Sequence, residues 1–113
     1  MATYPVDRDV VLQHFLRKVT HVAGTNLKAV ILYGPRVVAQ NGNGAEYNIL
    51  TILDKESLTI CDEIAGVAAH MQANHQVPFS VVSLTEDEQR KKIRNPQWRQ
   101  IREQGVVVWP RRM

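Results

Sequence analysis

Apolar residues fall along this chain in blocks of two different periods. Over residues 7–23, Val11, Phe15, Val19 and Val22 recur at spacings of four, four and three, and Leu12 and Leu16 widen the stripe. That period predicts an amphipathic helix, with Asp7 as its cap and Gly24 as its stop. Residues 27–33, Leu-Lys-Ala-Val-Ile-Leu-Tyr, are short, β-branched and almost wholly apolar after Lys28. Such a run predicts a strand covered on both faces. Pro35 lacks a backbone N–H but suits the first turn of a helix, so residues 36–40 are predicted as a helical turn. Asn41-Gly42-Asn43-Gly44 reads as a loop.

A second strand is predicted over residues 46–53. Its period of two places Glu46, Asn48, Leu50 and Ile52 on one face and Tyr47, Ile49, Thr51 and Leu53 on the other. A long helix should cover residues 57–74, turning Leu58, Cys61, Ile64, Ala65, Ala68 and Met71 inward. A third strand starts after Pro78. Thr85-Glu86-Asp87-Glu88 has the spacing of a capping box, in which hydroxyl and carboxylate each satisfy the other's backbone N–H. The helix it opens should break near Asn95-Pro96, where Asn95 caps a new helix. Gly105 stops that helix, and Val106-Val107-Val108-Trp109 reads as a last strand. The fold class is therefore α/β (α+β): a mixed sheet of about four strands packed against helices, in one domain over residues 1–113.

Composition narrows the chemistry. The 113 residues are 44% apolar and 22% charged, which suits one globular domain rather than a disordered chain. No apolar run approaches the roughly 18–20 residues of a membrane span. The opening MATYPVDRDVV has no basic segment leading into an apolar one, so it does not read as a signal peptide. A single cysteine, Cys61, excludes an internal disulfide framework and a multi-cysteine zinc site. A cytoplasmic protein is the expectation. Cys61 itself, on an apolar helix face without a basic neighbour in sequence, reads as an inert thiol.

The stretch Val30-Ile31-Leu32-Tyr33-Gly34-Pro35-Arg36, followed by Gly44-Ala45-Glu46-Tyr47-Asn48-Ile49-Leu50-Thr51-Ile52, resembles the minimal nucleotidyltransferase domain of the DNA polymerase β superfamily. There a strand ends in Gly-Ser, and a short helix and a Gly-bearing loop lead to Ser-Asp-x-Asp. Pro78-Phe79-Ser80-Val81-Val82 is similar to the later strand that carries the family's third carboxylate, and residues 101–109 look like its terminal helix and strand. The resemblance spans about residues 8–109 and implies a nucleotidyltransferase-like fold. It also implies a site in which two Mg²⁺ ions, held by carboxylates, neutralise a triphosphate and activate a hydroxyl.

At each of those positions this chain departs from the pattern. Pro35 stands in place of the serine and removes both hydroxyl and N–H. Glu46 replaces the first aspartate, Asn48 the second, and Ser80 the third carboxylate. Three anionic ligands have become one, so no catalytic residue, no metal and no cofactor is expected. Gly34, Pro35 and Arg36 remain as a vestigial nucleotide-binding turn, and Arg36 is expected to pair with Glu46 across the emptied cleft. The resemblance implies a binding or regulatory module. The family's minimal members often pair with a helical HEPN-domain protein in bacterial toxin–antitoxin systems, so a protein partner, or self-association, is expected.

Two other functions remain open at the level of sequence. One is a metal-dependent nucleotidyltransferase using Mg²⁺ at an altered site of Glu46 and Asn48. The other is RNA or DNA binding through the basic C-terminal helix. The net charge is +3, from 14 Lys and Arg against 11 Asp and Glu. The excess lies late, in Arg90, Lys91, Lys92, Arg94, Arg99, Arg102, Arg111 and Arg112, with Trp98 available for stacking. Pairs such as Glu86 with Arg90 and Glu88 with Lys92 would instead make this a solvated helix face. Trp98 and Trp109 read as core anchors. His14 and His21, about 10 Å apart along a helix, are too distant for one ion. His70 and His75 straddle a helix end, where a cation favours the dipole.

Overall fold

A computed structural model describes residues 4–39, 46–92 and 94–110. The loop predicted at 41–44 lies outside them. The chain runs through α1 (Val10–Ala23), β1 (Leu27–Tyr33), α2 (Pro35–Ala39), β2 (Tyr47–Leu53), α3 (Leu58–His75), β3 (Phe79–Thr85), α4 (Glu86–Lys92), α5 (Pro96–Gln104) and β4 (Val106–Trp109). The strands form one mixed sheet in the order β3-β2-β1-β4. β2 lies antiparallel to β1 and parallel to β3, and β4 runs antiparallel to β1. The parallel pair is joined by α3, the helical crossover that such a pair requires.

Local chemistry sets most of the boundaries. Ser57 caps α3, its hydroxyl accepting from the Ile60 N–H at 3.2 Å. The capping box forms as the spacing predicts: the Thr85 N–H donates to Glu88 at 3.0 Å, and the Glu88 N–H donates to the Thr85 hydroxyl at 3.2 Å. Gly24 closes α1, its N–H donating to the Thr20 carbonyl. The start of α1 differs from the expectation. Val6–Arg8 form a separate 3₁₀ turn, and Asp9, not Asp7, caps the helix by accepting from the Leu12 N–H at 2.9 Å.

The sheet separates two unequal layers. On one face α1 and α3 cover the main core, where Phe15, Leu12, Val19, Ile64 and Met71 meet Val30, Leu32, Ile49, Leu53 and Val108, all fully or almost fully buried. Ile64, Ala68 and Met71 are inward on α3 as predicted, but Leu58 and Ala65 are exposed, because the helix contacts the sheet along a narrower stripe. Cys61 is half-buried against this core. Thr51, buried on the same face, shares a 2.6 Å hydroxyl–hydroxyl hydrogen bond with Ser83. On the other face the buried cluster among the described residues is Leu50, Ile52 and Leu84, with Ile31, Tyr33, Trp98 and Ile101 packed partly against it. α4 buries none of its side chains. Both tryptophans are thus half-buried anchors, on opposite faces. Among the described residues no helix is long and apolar enough to cross a membrane.

His14 on α1 meets His75 at the end of α3 edge-on, with ring centres 6.3 Å apart. Partial desolvation, then the charges of Lys18 and Arg17 on α1 and of His75 and His70 on α3, hold the His14 pKa below its ordinary value. The unfolded chain therefore takes up this proton first as pH falls. The expected result is full stability above about pH 6.5, the ordinary histidine value, and loss below it. Urea denaturation between pH 7.5 and 5 measures the slope, which His14→Gln should reduce.

Candidate functional site

Two polar groups of residues lie at the same end of the sheet, on opposite faces. Adjacent residues of β2 separate them, since Asn48 points to the α4–α5 side and Tyr47 to the α1–α3 side.

The first group contains the positions singled out from the sequence. Asn48 is the register partner of Tyr33 on β1 and of Ser80 on β3, so Asn48 and Ser80 share a face on neighbouring strands. Gly34 follows β1 directly with φ +86°, and a Cβ there would come 2.7 Å from the Asn48 amide nitrogen. Glycine is favoured by that left-handed φ, and a Cβ would in addition push the Asn48 amide aside. Pro35 then opens α2, and the Val37 N–H donates to the Gly34 carbonyl at 3.1 Å. Glu46, exposed just before β2, has the parity of Asn48. Burial first, and then the charge of Glu46, push the Tyr33 phenol pKa upward, which places the carboxylate in the field of that ring. Gly34, Asn48 and Ser80 thus come together, with Glu46 at their exposed edge. No three or more His, Cys, Asp or Glu side chains among the described residues are placed to share a metal ion.

Arg36 does not join this group. It turns to the opposite face, where it is 6% exposed, and pairs with Asp9 at 3.6 Å rather than with Glu46. Its guanidinium lies 3.8 Å from the centre of the Tyr47 ring and donates to the Tyr4 hydroxyl at 3.3 Å. Phe79 stacks on Tyr47 at 4.4 Å. The Tyr47 hydroxyl donates to both Asp9 oxygens, at 2.7 and 2.9 Å, and Tyr4 donates to Asp9 at 2.5 Å. Burial, followed by these bonds to a carboxylate, raises the pKa of both phenols. The physical reason for the redirected Arg36 is the company on this side: a buried anion and an aromatic face solvate a guanidinium better than one exposed glutamate. Sequence reading missed Tyr4, Asp9 and Tyr47. The hint was the alternation that puts Tyr47 opposite Asn48; the separation of Asp9 from Tyr47 in the chain gave no local signal.

The C-terminal basic residues are partly neutralised. Arg99 pairs with Glu103 at 3.1 Å, and Arg90 pairs with Asp87 rather than with Glu86.

Two substitutions test these arrangements. Asp9→Ala strands a buried guanidinium and removes a helix cap, so it should cost about 3–5 kcal/mol, against about 1 kcal/mol for Tyr47→Phe; chemical denaturation compares them. Gly34→Ala should cost roughly 1–3 kcal/mol. Adding Asn48→Ala should recover part of that loss, because it removes the collision and leaves only the backbone strain.

No protein-family model matches this chain, and no curated protein matches it significantly. Solved structures do. One is a toxin–antitoxin pair, MntA–HpeT, bearing a tyrosine-to-alanine change: 13% identity, 86% of this chain and 71% of that chain covered, TM-score 0.57. Another is the same pair with two aspartates, two positions apart, changed to glutamate: 15% identity, the same coverage, TM-score 0.55. At such identities the likeness establishes architecture alone. The chain has a nucleotidyltransferase-like fold, a mixed four-stranded sheet packed against helices.

Proposed function

We propose that this protein is a nucleotidyltransferase-fold module that has lost catalysis and acts as a binding or regulatory partner, in the manner of an antitoxin. The observation that carries the reading is the composition of the Gly34 corner. A glycine turn, an amide and a hydroxyl come together there, with one exposed carboxylate at the edge. A pair of Mg²⁺ ions beside a triphosphate calls for several anionic oxygens, because these hard cations surrender water only to strong oxygen donors. Asn48 and Ser80 supply none, and Pro35 offers neither hydroxyl nor N–H to a phosphate. The donor set does not suit the metal pair, and we derive no reaction through it.

Arg36 supports the same reading. Arg36, the cation that follows the turn, is held on the far face by Asp9 and Tyr47, away from any phosphate at Gly34. The structural likeness to a toxin–antitoxin pair favours a protein partner. A helical HEPN-type protein is the partner class we propose, with self-association as the other form such a module could take.

Calorimetry with Mg²⁺ and ATP tests the loss of catalysis. The natural chain should give no binding heat. The variant Pro35→Ser, Glu46→Asp, Asn48→Asp, Ser80→Asp should gain Mg²⁺-dependent binding. Binding by the natural chain that disappears in Glu46→Ala would overturn the proposal in favour of an active transferase.

A further inference from the structure

Between α5 and the sheet, on the face of Leu50 and Ile31, lies a cavity of about 180 Å³. It is slightly larger than the roughly 150 Å³ apolar cavity that is known to admit benzene. Trp98, Ile31, Leu50, Ile101 and Val107 line it, so it has the volume and the apolar, aromatic surface to take one ring. Gly105 lines it where α5 meets the sheet: a Cβ there would come 2.4 Å from the Ile101 carbonyl oxygen and 2.8 Å from the Ile31 side chain.

Two polar side chains also line it, Gln89 and Arg102. Neither forms a hydrogen bond or ion pair with the described residues. Arg99 is neutralised by Glu103 and Arg90 by Asp87, whereas Arg102, like Lys91, Lys92 and Arg94, forms no ion pair with the described residues. Among the described residues no acidic side chain lines the cavity, and the Lys92 ammonium lies 6.0 Å from the centre of the Trp98 ring, adding positive potential at the same wall. An apolar slot with a stacking wall, an uncommitted guanidinium and an uncommitted amide is complementary to an aromatic ring bearing one anionic group.

The geometry points to this cavity as a binding site for a small aromatic anion, a carboxylate or a phosphate ester. It is separate from the Gly34 corner and does not depend on the reading given to that corner. Leu50 nonetheless follows Asn48 by two residues on the same face of β2, so a ligand here sits beside that corner.

The test is a ¹H–¹⁵N NMR titration of the full chain, followed at the Trp98 indole and the Gly105 amide, with benzoate, phenyl phosphate and benzyl alcohol as probes. Benzoate or phenyl phosphate should bind about tenfold more tightly than benzyl alcohol, the value of one charge-assisted contact; the tighter of the two identifies the anionic group. Arg102→Gln should remove that advantage while leaving benzyl alcohol unchanged. Val107→Phe, at a position 57% exposed and therefore tolerant of substitution, should fill the slot and abolish binding with the melting temperature preserved. The inference is overturned if neither anion moves these resonances, if benzyl alcohol binds as tightly as the anions, or if folded Val107→Phe binds them unchanged.

Discussion

One carboxylate joins the parts of this molecule that sequence keeps apart. Asp9 caps α1, accepts the hydroxyls of Tyr4 and Tyr47, and faces the guanidinium of Arg36. The N-terminal segment, the first helix, the turn after β1 and the start of β2 all meet at its two oxygens. A charge in so enclosed a place survives only with several donors and an opposite charge, and each is present. The aromatic stack of Tyr47 on Phe79 then carries the arrangement across to β3. The order of the sheet at this end, and hence the neighbourhood of Asn48 and Ser80, depends on that anchorage.

Periodicity made most of the elements legible. The strands at 27–33 and 47–53, the capping box at Thr85, and the Asn95-Pro96 break each follow from a local rule, and each is where that rule puts it. What stayed hidden depended on the far side of the fold. Asp7 and Asp9 are equally good caps by composition, and only the tyrosines and arginine gathered about Asp9 decide between them. Leu58 and Ala65 fit the apolar period of α3, yet the helix packs on a stripe too narrow to reach them. Arg36 was traced to the correct turn but to the wrong face, because a long side chain can choose among partners that lie close only in three dimensions.

The corner at Gly34 shows the converse. There the register alone brings Asn48 beside Ser80, as the alternation of the strand leads one to expect. Architecture and ligand chemistry are thus separable in this protein. The backbone fixes which positions converge, and the side chains standing on it, a glycine, an amide and a hydroxyl, fix what that point can bind. Directing its nearest arginine inward also changes the character of this end of the sheet, since the glutamate is left to set the local potential.

The unequal thickness of the two layers has a dynamic consequence. The helices behind Tyr47 are secured by a broad apolar contact, whereas among the described residues the buried cluster under α4 and α5 is Leu50, Ile52 and Leu84, with a few half-buried neighbours. Elements attached so lightly open at far lower free energy than the global transition, and they do so as a unit. Amide protons in the outer layer should therefore trade with solvent while those of the central strands stay protected. In such an excursion Leu50, Ile52 and Leu84 would be uncovered without dismantling the sheet, giving a second surface of different shape on a single folded framework.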